Sequence, residues 1–494
     1  MKRYISLFVL AATTLFLSCA EDKGNYDYKS INELTIKGIP EDTTVMHAEV
    51  LKIQPVLDRL LEDTEEGLEY SWTMAGKEIA TTRDLNYEVP FDWDVKKYDC
   101  MYTVTDTRNG MKYFQKFNLS VVAAFSWGYY FLCEEADGTS VLSYFSTKEG
   151  TKECLHTTQV GSYVFGKRPK TIVESFGKIE ALNDYYYTMY IVNGESEQQV
   201  IITNNGSFMP SGLITNESLM AAEEDGFEPE SGLAMASGQV CLVSNGKFYS
   251  YSNGLVYRPA KHDKEYYWSH PASYNAYVYV WDELSKKFYV LKNQINDPAA
   301  GLVNDQYAWD RVVEIEDQPS YDGHAIITHA VPKVSGPGPH VMYLVTEKAG
   351  EISFMKFEYI NSQKATEELP ALNEYGRFVE GKSFQVPGVD KNIKGVIAEK
   401  NWYVVVGNKI YASPTLMPIL QEFTNLPDDI GMPMSVALSS KGTHLIVATY
   451  DENSTEEYKG SFALVNVTTG ETVVHRNVMG KCVVAKGYDA NPWF

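Results

Sequence analysis

Residues 239–251 read QVCLVSNGKFYSY, two short apolar and aromatic runs joined by Asn245-Gly246. Asn-Gly favours a tight hairpin turn because both residues accept positive φ. Runs rich in valine and aromatic residues on either side are typical of paired strands. The segment therefore predicts a β-hairpin, Gln239 to Val243 with Lys247 to Tyr251.

Strand pairs of this kind recur from Phe125 to the end of the chain. The others join 129–133 to 141–145, 185–192 to 199–203, 276–281 to 287–291, 341–346 to 351–359, 402–406 to 409–412, and 444–450 to 461–467. Their spacing of about 50 residues is what the four-stranded blades of a propeller give. The all-β chain is therefore expected to form a β-propeller over residues 124–494. Seven blades fit best, and six or eight remain open.

Upstream, residues 31–123 contain shorter strands broken by turn residues, at the spacing of a β-sandwich. One immunoglobulin-like sandwich is predicted here. Its evidence is the alternation in 34–39 and 50–56, the central tryptophan in Tyr70-Ser71-Trp72, and a hairpin of 101–105 with 112–122 around Arg108-Asn109-Gly110.

The beginning of the chain has the layout of a signal peptide, residues 1–18. Lys2 and Arg3 precede an uncharged apolar stretch from Ile5 to Leu17. That stretch is too short to span about 30 Å of hydrocarbon as a helix. Leu17-Ser18-Cys19 resembles a lipobox, so Cys19 is expected to carry a lipid and residues 19–30 to form a lipidated tether.

An acidic pair, Glu21 and Asp22, follows the cysteine. It resembles the export signal that sends some Gram-negative lipoproteins to the outer face of the outer membrane. The sequence thus predicts a protein that is anchored in the outer membrane through the lipid on Cys19 and faces the cell exterior.

The charge balance narrows the choice of partners. The chain has 43 Lys and Arg against 65 Asp and Glu, and loss of Lys2 and Arg3 with residues 1–18 leaves 41 against 65, a net charge near −24. Nucleic acid and anionic headgroups are bound through clustered basic residues. Both are therefore excluded as partners.

Two parts of the chain resemble a known family. Residues 19–28, CAEDKGNYDY, and the strands containing Tyr70-Ser71-Trp72 and Tyr102 to Asp106, YTVTD, are similar to the PKD-like family of surface lipoproteins. The Trp-Asp-Phe-Gly-Asp-Gly turn that is usual in PKD domains is absent, since 73–77 read TMAGK. Members typically accompany SusC/SusD-type nutrient importers. The resemblance therefore implies a PKD-like sandwich and association with such a transporter complex.

Motifs of catalysis and metal binding are missing from the sequence. It contains no G-x-S-x-G elbow, P-loop, Rossmann glycine set or H-E-x-x-H. His324 and His329 lie in one apparent strand, at a spacing that directs them to opposite faces. Neither a metal nor a cofactor is expected. Asp282, Asp310 and Asp322 lie beside aromatic residues at strand ends, and solvated turn carboxylates are the expected reading.

Aromatic residues between the strand pairs are the candidate ligand-binding residues. They are Tyr266, Tyr267, Trp268, Trp309 and Tyr321. Rings on loops offer flat apolar faces to a sugar or a peptide side chain. Packing between blades is the alternative.

The mature cysteines beyond Cys19 are odd in number and widely spaced, so they indicate no disulfide framework. Cys133 and Cys154 could pair if they lie on neighbouring strands. Free, buried cysteines are the alternative.

Three functions fit these observations. The first is a non-catalytic accessory protein of a nutrient uptake system, with the propeller as a binding or docking surface for a glycan or peptide. The second is a propeller glycoside hydrolase or lyase. The third is a purely structural scaffold of a lipoprotein complex.

Overall fold

The computed structural model describes residues 33–488 except 47–48, 60–63, 91–92, 95, 123–127, 147–154, 161–162, 180–183, 195–196, 205–209, 220–225, 236–238, 253–254, 260–261, 263, 275–276, 293–306, 309–310, 332–339, 361–374 and 390–391. Within these residues, helix is confined to 3-10 turns at Asn216–Ser218 and Asp428–Ile430. None of the described helices is long and apolar enough to cross a bilayer. The signal peptide, Cys19, Glu21 and Asp22 lie outside the described residues.

The chain divides into two compact units. The described part of the first runs to Val45 and continues with Val50–Glu88 and Lys97–Ser120. The second consists of Val121 onward together with two short upstream segments, Met46–Glu49 and Val89–Lys96.

The first unit folds as an antiparallel β-sandwich. Its main sheet has the order β2-β9-β8-β5-β6, and β1 pairs with β4 and β3 with β7. The strands are β1 (Leu34–Lys37), β2 (Asp42–Met46), β3 (Val50–Ile53), β4 (Val56–Arg59), β5 (Leu68–Met74), β6 (Lys77–Ala80), β7 (Leu85–Glu88), β8 (Lys97–Asp106) and β9 (Met111–Val122).

Trp72, the tryptophan of the predicted strand run, is the centre of the sandwich core. Its ring is fully buried, lies 4.2 Å from the ring of Tyr102 and meets Phe117 edge-on. Its Nε1 donates to the carbonyl of Thr82 at 2.8 Å, so the one polar atom of the side chain is satisfied.

The predicted hairpin of β8 and β9 is confirmed, but its loop is longer than two residues. Asp106 pairs with Met111, so residues 107–110 form the turn. The carboxylate of Asp106 accepts from the backbone N–H of Arg108 at 3.0 Å and from its Nε at 2.9 Å. Within the turn, Gly110 has φ of 73°.

The described strands of the second unit form a propeller. They are β10 (Gly128–Glu134), β11 (Ser140–Ser146), β12 (Leu155–Thr157), β13 (Gln159–Val160), β14 (Tyr163–Val164), β15 (Pro169–Ile179), β16 (Asp184–Asn193), β17 (Val200–Asn204), β18 (Pro210–Ile214), β19 (Pro229–Ala234), β20 (Val240–Ser244), β21 (Lys247–Ser252), β22 (Leu255–Pro259), β23 (Trp268–Tyr274), β24 (Tyr277–Asp282), β25 (Lys287–Lys292), β26 (Tyr307–Ala308), β27 (Arg311–Glu316), β28 (Ala325–Ala330), β29 (His340–Lys348), β30 (Glu351–Ile360), β31 (Tyr375–Gln385), β32 (Lys394–Ile397), β33 (Asn401–Val406), β34 (Lys409–Pro414), β35 (Gln421–Asn425), β36 (Met432–Leu438), β37 (His444–Tyr450), β38 (Gly460–Asn466), β39 (Thr472–Met479) and β40 (Lys481–Tyr488).

These strands build seven four-stranded antiparallel blades within the described residues. From the innermost strand outward, blade 1 is β40-β10-β11-β12, blade 2 is β15-β16-β17-β18 and blade 3 is β19-β20-β21-β22. Blade 4 is β23-β24-β25-β27, blade 5 is β28-β29-β30-β31, blade 6 is β32-β33-β34-β35 and blade 7 is β36-β37-β38-β39. Outer strands β27 and β31 also pair in parallel, which joins blades 4 and 5 into one sheet.

The blades close into a ring. The innermost strand of each blade contacts the innermost strand of the next, from β15 through β19, β23, β28, β32 and β36 to β40, and β40 contacts β15. An apolar cluster fills each of the seven spaces between adjacent blades. Blade 1 takes its innermost strand from the end of the chain and its other three strands from residues 128–157. Closure therefore depends on the pairing of β40 with β10.

The predicted strand pairs are the second and third strands of the seven blades, and seven is the number of blades observed. Among the innermost strands, β28 overlaps the strand predicted around His324 and His329. The innermost strand β23 was not predicted, and Trp268 begins that strand rather than lying on a loop.

Candidate functional site

Trp268 is packed between blades 3 and 4 and does not form a binding surface. Its side chain is 3% exposed, stacks on the ring of Tyr266 at 4.4 Å and meets Tyr289 edge-on. Residues of blade 3 such as Cys241 and Phe248 complete this core. The expectation of an exposed loop ring is wrong for Trp268, because this residue begins β23 and its ring packs against residues of blade 3.

Tyr321 is also buried, in the core between blades 4 and 5. It is 1% exposed, and its ring lies 5.4 Å from that of Trp281. Burial raises the pKa of its hydroxyl. Here too the expectation of an exposed ring is wrong. Trp309 and Asp310 lie outside the described residues.

Tyr267 remains 39% exposed, but its backbone joins two blades. Its N–H donates to Oδ1 of Asp282 at 2.8 Å, and its carbonyl accepts from Glu283 at 2.8 Å. Its ring covers Gly246, at φ of 71°, where a Cβ would overlap the ring. The segment therefore links the Asn245-Gly246 turn of blade 3 to the second turn of blade 4.

Asp282 stabilises a turn rather than facing solvent. Its side chain is 1% exposed and accepts the backbone N–H groups of Tyr267, Leu284 at 3.3 Å and Ser285 at 2.9 Å. The solvated reading is therefore wrong for Asp282, because these three donors replace water. Asp322 is exposed, with Oδ2 at 3.2 Å from the Ser320 hydroxyl.

His324 and His329 have different partners, but they do not share one strand, because β28 begins at Ala325 and its register shifts between Ile326 and Thr328. Nδ1 of His324 lies 3.0 Å from Oγ1 of Thr346, and Nε2 of His329 lies 3.2 Å from the carbonyl of Pro271. Burial and the neighbouring ring of His270, at 5.8 Å, lower the pKa of His329 to about 4. Among the described residues, no group of three or more His, Cys, Asp and Glu side chains is arranged to hold a metal ion.

An open, polar pocket of about 480 Å³ lies where blade 7 meets blade 1. Two turns form its walls, the one after β10 and the one after β37. Its lining residues are Glu134, Glu135, Ala136, Gly138, Tyr450, Glu452 and Lys481. The ends of β10 and β37 and the beginning of β40 meet at this edge, because second strands run back toward the end where innermost strands begin.

Short backbone hydrogen bonds fix both walls. In blade 1, the N–H of Glu135 donates to Thr139 at 2.9 Å and the N–H of Gly138 to Glu135 at 2.9 Å. In blade 7, the N–H of Asp451 donates to Lys459 at 3.1 Å. The side chains of the pocket are therefore presented by ordered turns on rigid strands.

The pocket combines acceptors, one cation and one ring. Nζ of Lys481 lies 5.8 Å from the centroid of the Tyr450 ring, in a cation–π contact. Three carboxylates and one ammonium give the lining an excess of negative charge. Such a surface suits neutral polyhydroxylated or cationic ligands and repels anions.

This pocket was not predicted from the sequence. Lys481 lies opposite Glu134 only because the last strand closes the ring. Nothing in the local sequence of either residue indicates that contact. The contact could be predicted only by knowing that the first and last strands of the propeller share blade 1.

The first unit carries a groove of about 600 Å³ along its main sheet, lined in part by Asp99, Gln115 and Asn118. Phe117 and Cys100, which also line it, are core residues of the sandwich. The groove follows strands β8 and β9, and its charged lining residues are Glu41, Asp99 and Lys116.

Comparison with known proteins gives one family match and distant structural likenesses. The sequence matches the PKD-like family over residues 19–169. No curated protein sequence matches the chain. Among solved structures, a quinonprotein alcohol dehydrogenase-like protein from Bacteroides thetaiotaomicron is similar with a TM-score of 0.43 and 14% identity, covering 89% of this chain and 95% of that one.

AztD from Citrobacter koseri is similar with a TM-score of 0.34 and 10% identity, covering 85% of this chain and 98% of that one. The assignment of a propeller stands on the strand order and the closed ring of innermost strands.

Proposed function

We propose that this protein is a non-catalytic outer-membrane surface lipoprotein that binds a glycan or peptide, or docks a partner, as an accessory of a SusC/SusD-type nutrient uptake system. The observation that carries the proposal is the polar pocket between blades 7 and 1. It offers hydrogen-bond acceptors, an ammonium donor and an aromatic ring on fixed turns.

A neutral oligosaccharide is the ligand class that uses all of these groups. Its hydroxyls donate to carboxylates and accept from Lys481, and a sugar face packs on an aromatic ring. The net charge near −24 of the mature chain disfavours polyanionic cargo. A basic peptide is the second ligand class compatible with the pocket.

The location follows from the beginning of the sequence. A lipid on Cys19 would hold the protein to the membrane, and the match to the PKD-like family begins at this residue. Cys19→Ala is expected to abolish labelling by a metabolically incorporated fatty acid. A variant that labels as strongly as the wild type would contradict the anchor.

The binding proposal is tested by calorimetric titration of residues 20–494 with neutral oligosaccharides, acidic oligosaccharides and basic peptides. Binding of a neutral oligosaccharide or a basic peptide, without product after prolonged incubation, is expected. Selective binding of the acidic oligosaccharides would contradict the proposed ligand class.

The three carboxylates of the pocket also favour a second candidate, a glycoside hydrolase, because glycosidases use paired carboxylates. Glu134→Gln, Glu135→Gln and Glu452→Gln distinguish the two functions. Turnover of an oligosaccharide that any of these variants abolishes would establish the hydrolase and overturn the non-catalytic proposal.

A further inference from the structure

Two buried cysteines face each other at the strand pair that closes the propeller. Cys133 on β10 lies directly opposite Cys482 on β40 in the antiparallel register. Opposed residues in antiparallel strands have Cα atoms about 4.5–5.5 Å apart, within the roughly 4.4–6.8 Å that a disulfide requires. The backbone arrangement is therefore suited to a cross-strand disulfide.

Both side chains are fully buried, and burial together with the neighbouring Cys133 thiol raises the pKa of the Cys482 thiol. The Sγ of Cys133 donates to the carbonyl of Phe131 at 3.6 Å. Around them lie Phe131, Phe462 and Met479, in the core between blades 7 and 1. Both cysteines are in the free thiol form in this structure.

Other buried cysteines lack this arrangement. Cys100 lies opposite Met74 and Phe117, and Cys241 lies opposite Leu233 and Ser250. Cys133 and Cys482 are thus distinguished from them by register and not by burial. Cys154, the alternative partner of Cys133 from the sequence, lies outside the described residues.

A disulfide between Cys133 and Cys482 would affect the closure of the propeller. The ladder between β10 and β40 is irregular at this point, with a register shift between Leu132 and Cys133. Residues 134–481 lie between the two cysteines, so one bond would tie the two ends of the propeller. A cross-link that closes so long a loop removes a large part of the freedom of the unfolded chain.

We propose that Cys133 and Cys482 form a disulfide that locks the closing blade once the protein is exported. The inference rests on the proposed export, since disulfides persist in oxidising compartments outside the cytoplasm. The oxidant is a disulfide, either of a dithiol oxidoreductase or of glutathione.

In the first step, the thiolate of one cysteine attacks that disulfide, forms a mixed disulfide and releases one thiol of the oxidant. The thiolate of the second cysteine then attacks the sulfur of the first, forms the Sγ–Sγ bond and releases the second thiol. Two cysteine thiols lose two protons and two electrons, and the oxidant's disulfide takes them up as two thiols. Because the folded site is buried, the exchange takes place while β40 docks.

Refolding tests the pairing independently of export. Reduced residues 20–494 are refolded in a buffer of oxidised and reduced glutathione, alkylated in denaturant and mapped by mass spectrometry. A linked Cys133–Cys482 peptide is expected, about 2 Da lighter than the two thiol peptides together. Cys100 and Cys241 should be alkylated. Full alkylation of Cys133 and Cys482, or a Cys133–Cys154 link, would overturn the proposal.

Stability gives a second measurement. The guanidinium midpoint of the oxidised wild type should be higher than that of the reduced wild type, and Cys133→Ala and Cys482→Ala should abolish this difference. Cys100→Ala, the matched control, should retain it. Equal midpoints for the oxidised and reduced wild type would contradict the lock.

A last arm uses the full chain, taken directly from cell envelopes into denaturant that contains the alkylating reagent. There, Cys133 and Cys482 are expected to be linked and therefore not alkylated. A pair that is linked after refolding but alkylated in the envelope would overturn the disulfide in the cell and count against export, whereas failure of the refolding arm would count against the pairing alone.

Discussion

The aromatic segment between blades 3 and 4 and the pocket between blades 7 and 1 use similar residues for different purposes. In the first, Trp268 and Tyr266 are stacked inside a core, and Asp282 is buried under three backbone donors. In the second, Tyr450 and Lys481 lie beside the half-buried Glu134 and Glu135 and the exposed Glu452 in an open cavity. Aromatic and acidic composition therefore does not separate packing from binding in a propeller.

Truncating Trp268 should give the largest effect on stability. Trp268→Ala is expected to lower the free energy of unfolding by about 3–5 kcal/mol, because it empties the core between blades 3 and 4. Tyr267→Ala, its exposed neighbour, should cost less than about 1 kcal/mol. Guanidinium unfolding of residues 20–494 measures both. Similar losses of unfolding free energy in the two variants would contradict the distinction between a buried packing residue and an exposed surface residue.

Acid should act on the blade 4–blade 5 interface more than on the open pocket. His329 is buried with its pKa lowered to about 4, while in the unfolded chain it protonates near the ordinary histidine pKa of 6.5. Between these values the unfolded state binds more protons, so stability rises with pH and is lost on acidification. The expected contribution is about 3 kcal/mol between pH 7 and pH 4.

The measurement is the unfolding free energy as a function of pH. His329→Gln should flatten the slope in this range, and part of the slope should remain, because burial also lowers the pKa of His270. His444→Gln, located in blade 7, serves as the control and should keep the wild-type slope. An unchanged slope in His329→Gln would contradict the assignment.

Much of the fold was accessible from local sequence. Each predicted pair, such as 239–243 with 247–251, has an apolar run on both sides of a turn, and each is a central strand pair of a blade. In the sandwich, the strand that contains Trp72 could likewise be predicted from its aromatic run, Tyr70-Ser71-Trp72. Innermost strands such as β23 begin with residues whose burial depends on the next blade, so local periodicity does not reveal them.

The candidate site was less accessible. Glu134 and Lys481 are brought together by ring closure, a contact between the two ends of the propeller. The opposition of Cys133 to Cys482 has the same origin. Sequence distance hides such pairs, and only the complete strand order shows them.

The most direct test of the account is the dissociation constant of the neutral oligosaccharide that binds best in the titration panel, measured for residues 20–494 and for Tyr450→Ala and Tyr267→Ala. Tyr450→Ala should weaken binding about five-fold or more, a loss of about 1 kcal/mol, because it removes the ring from the pocket. Tyr267→Ala should leave the constant unchanged. Weakened binding in Tyr267→Ala with wild-type affinity in Tyr450→Ala would place the ligand on the aromatic segment and contradict the account.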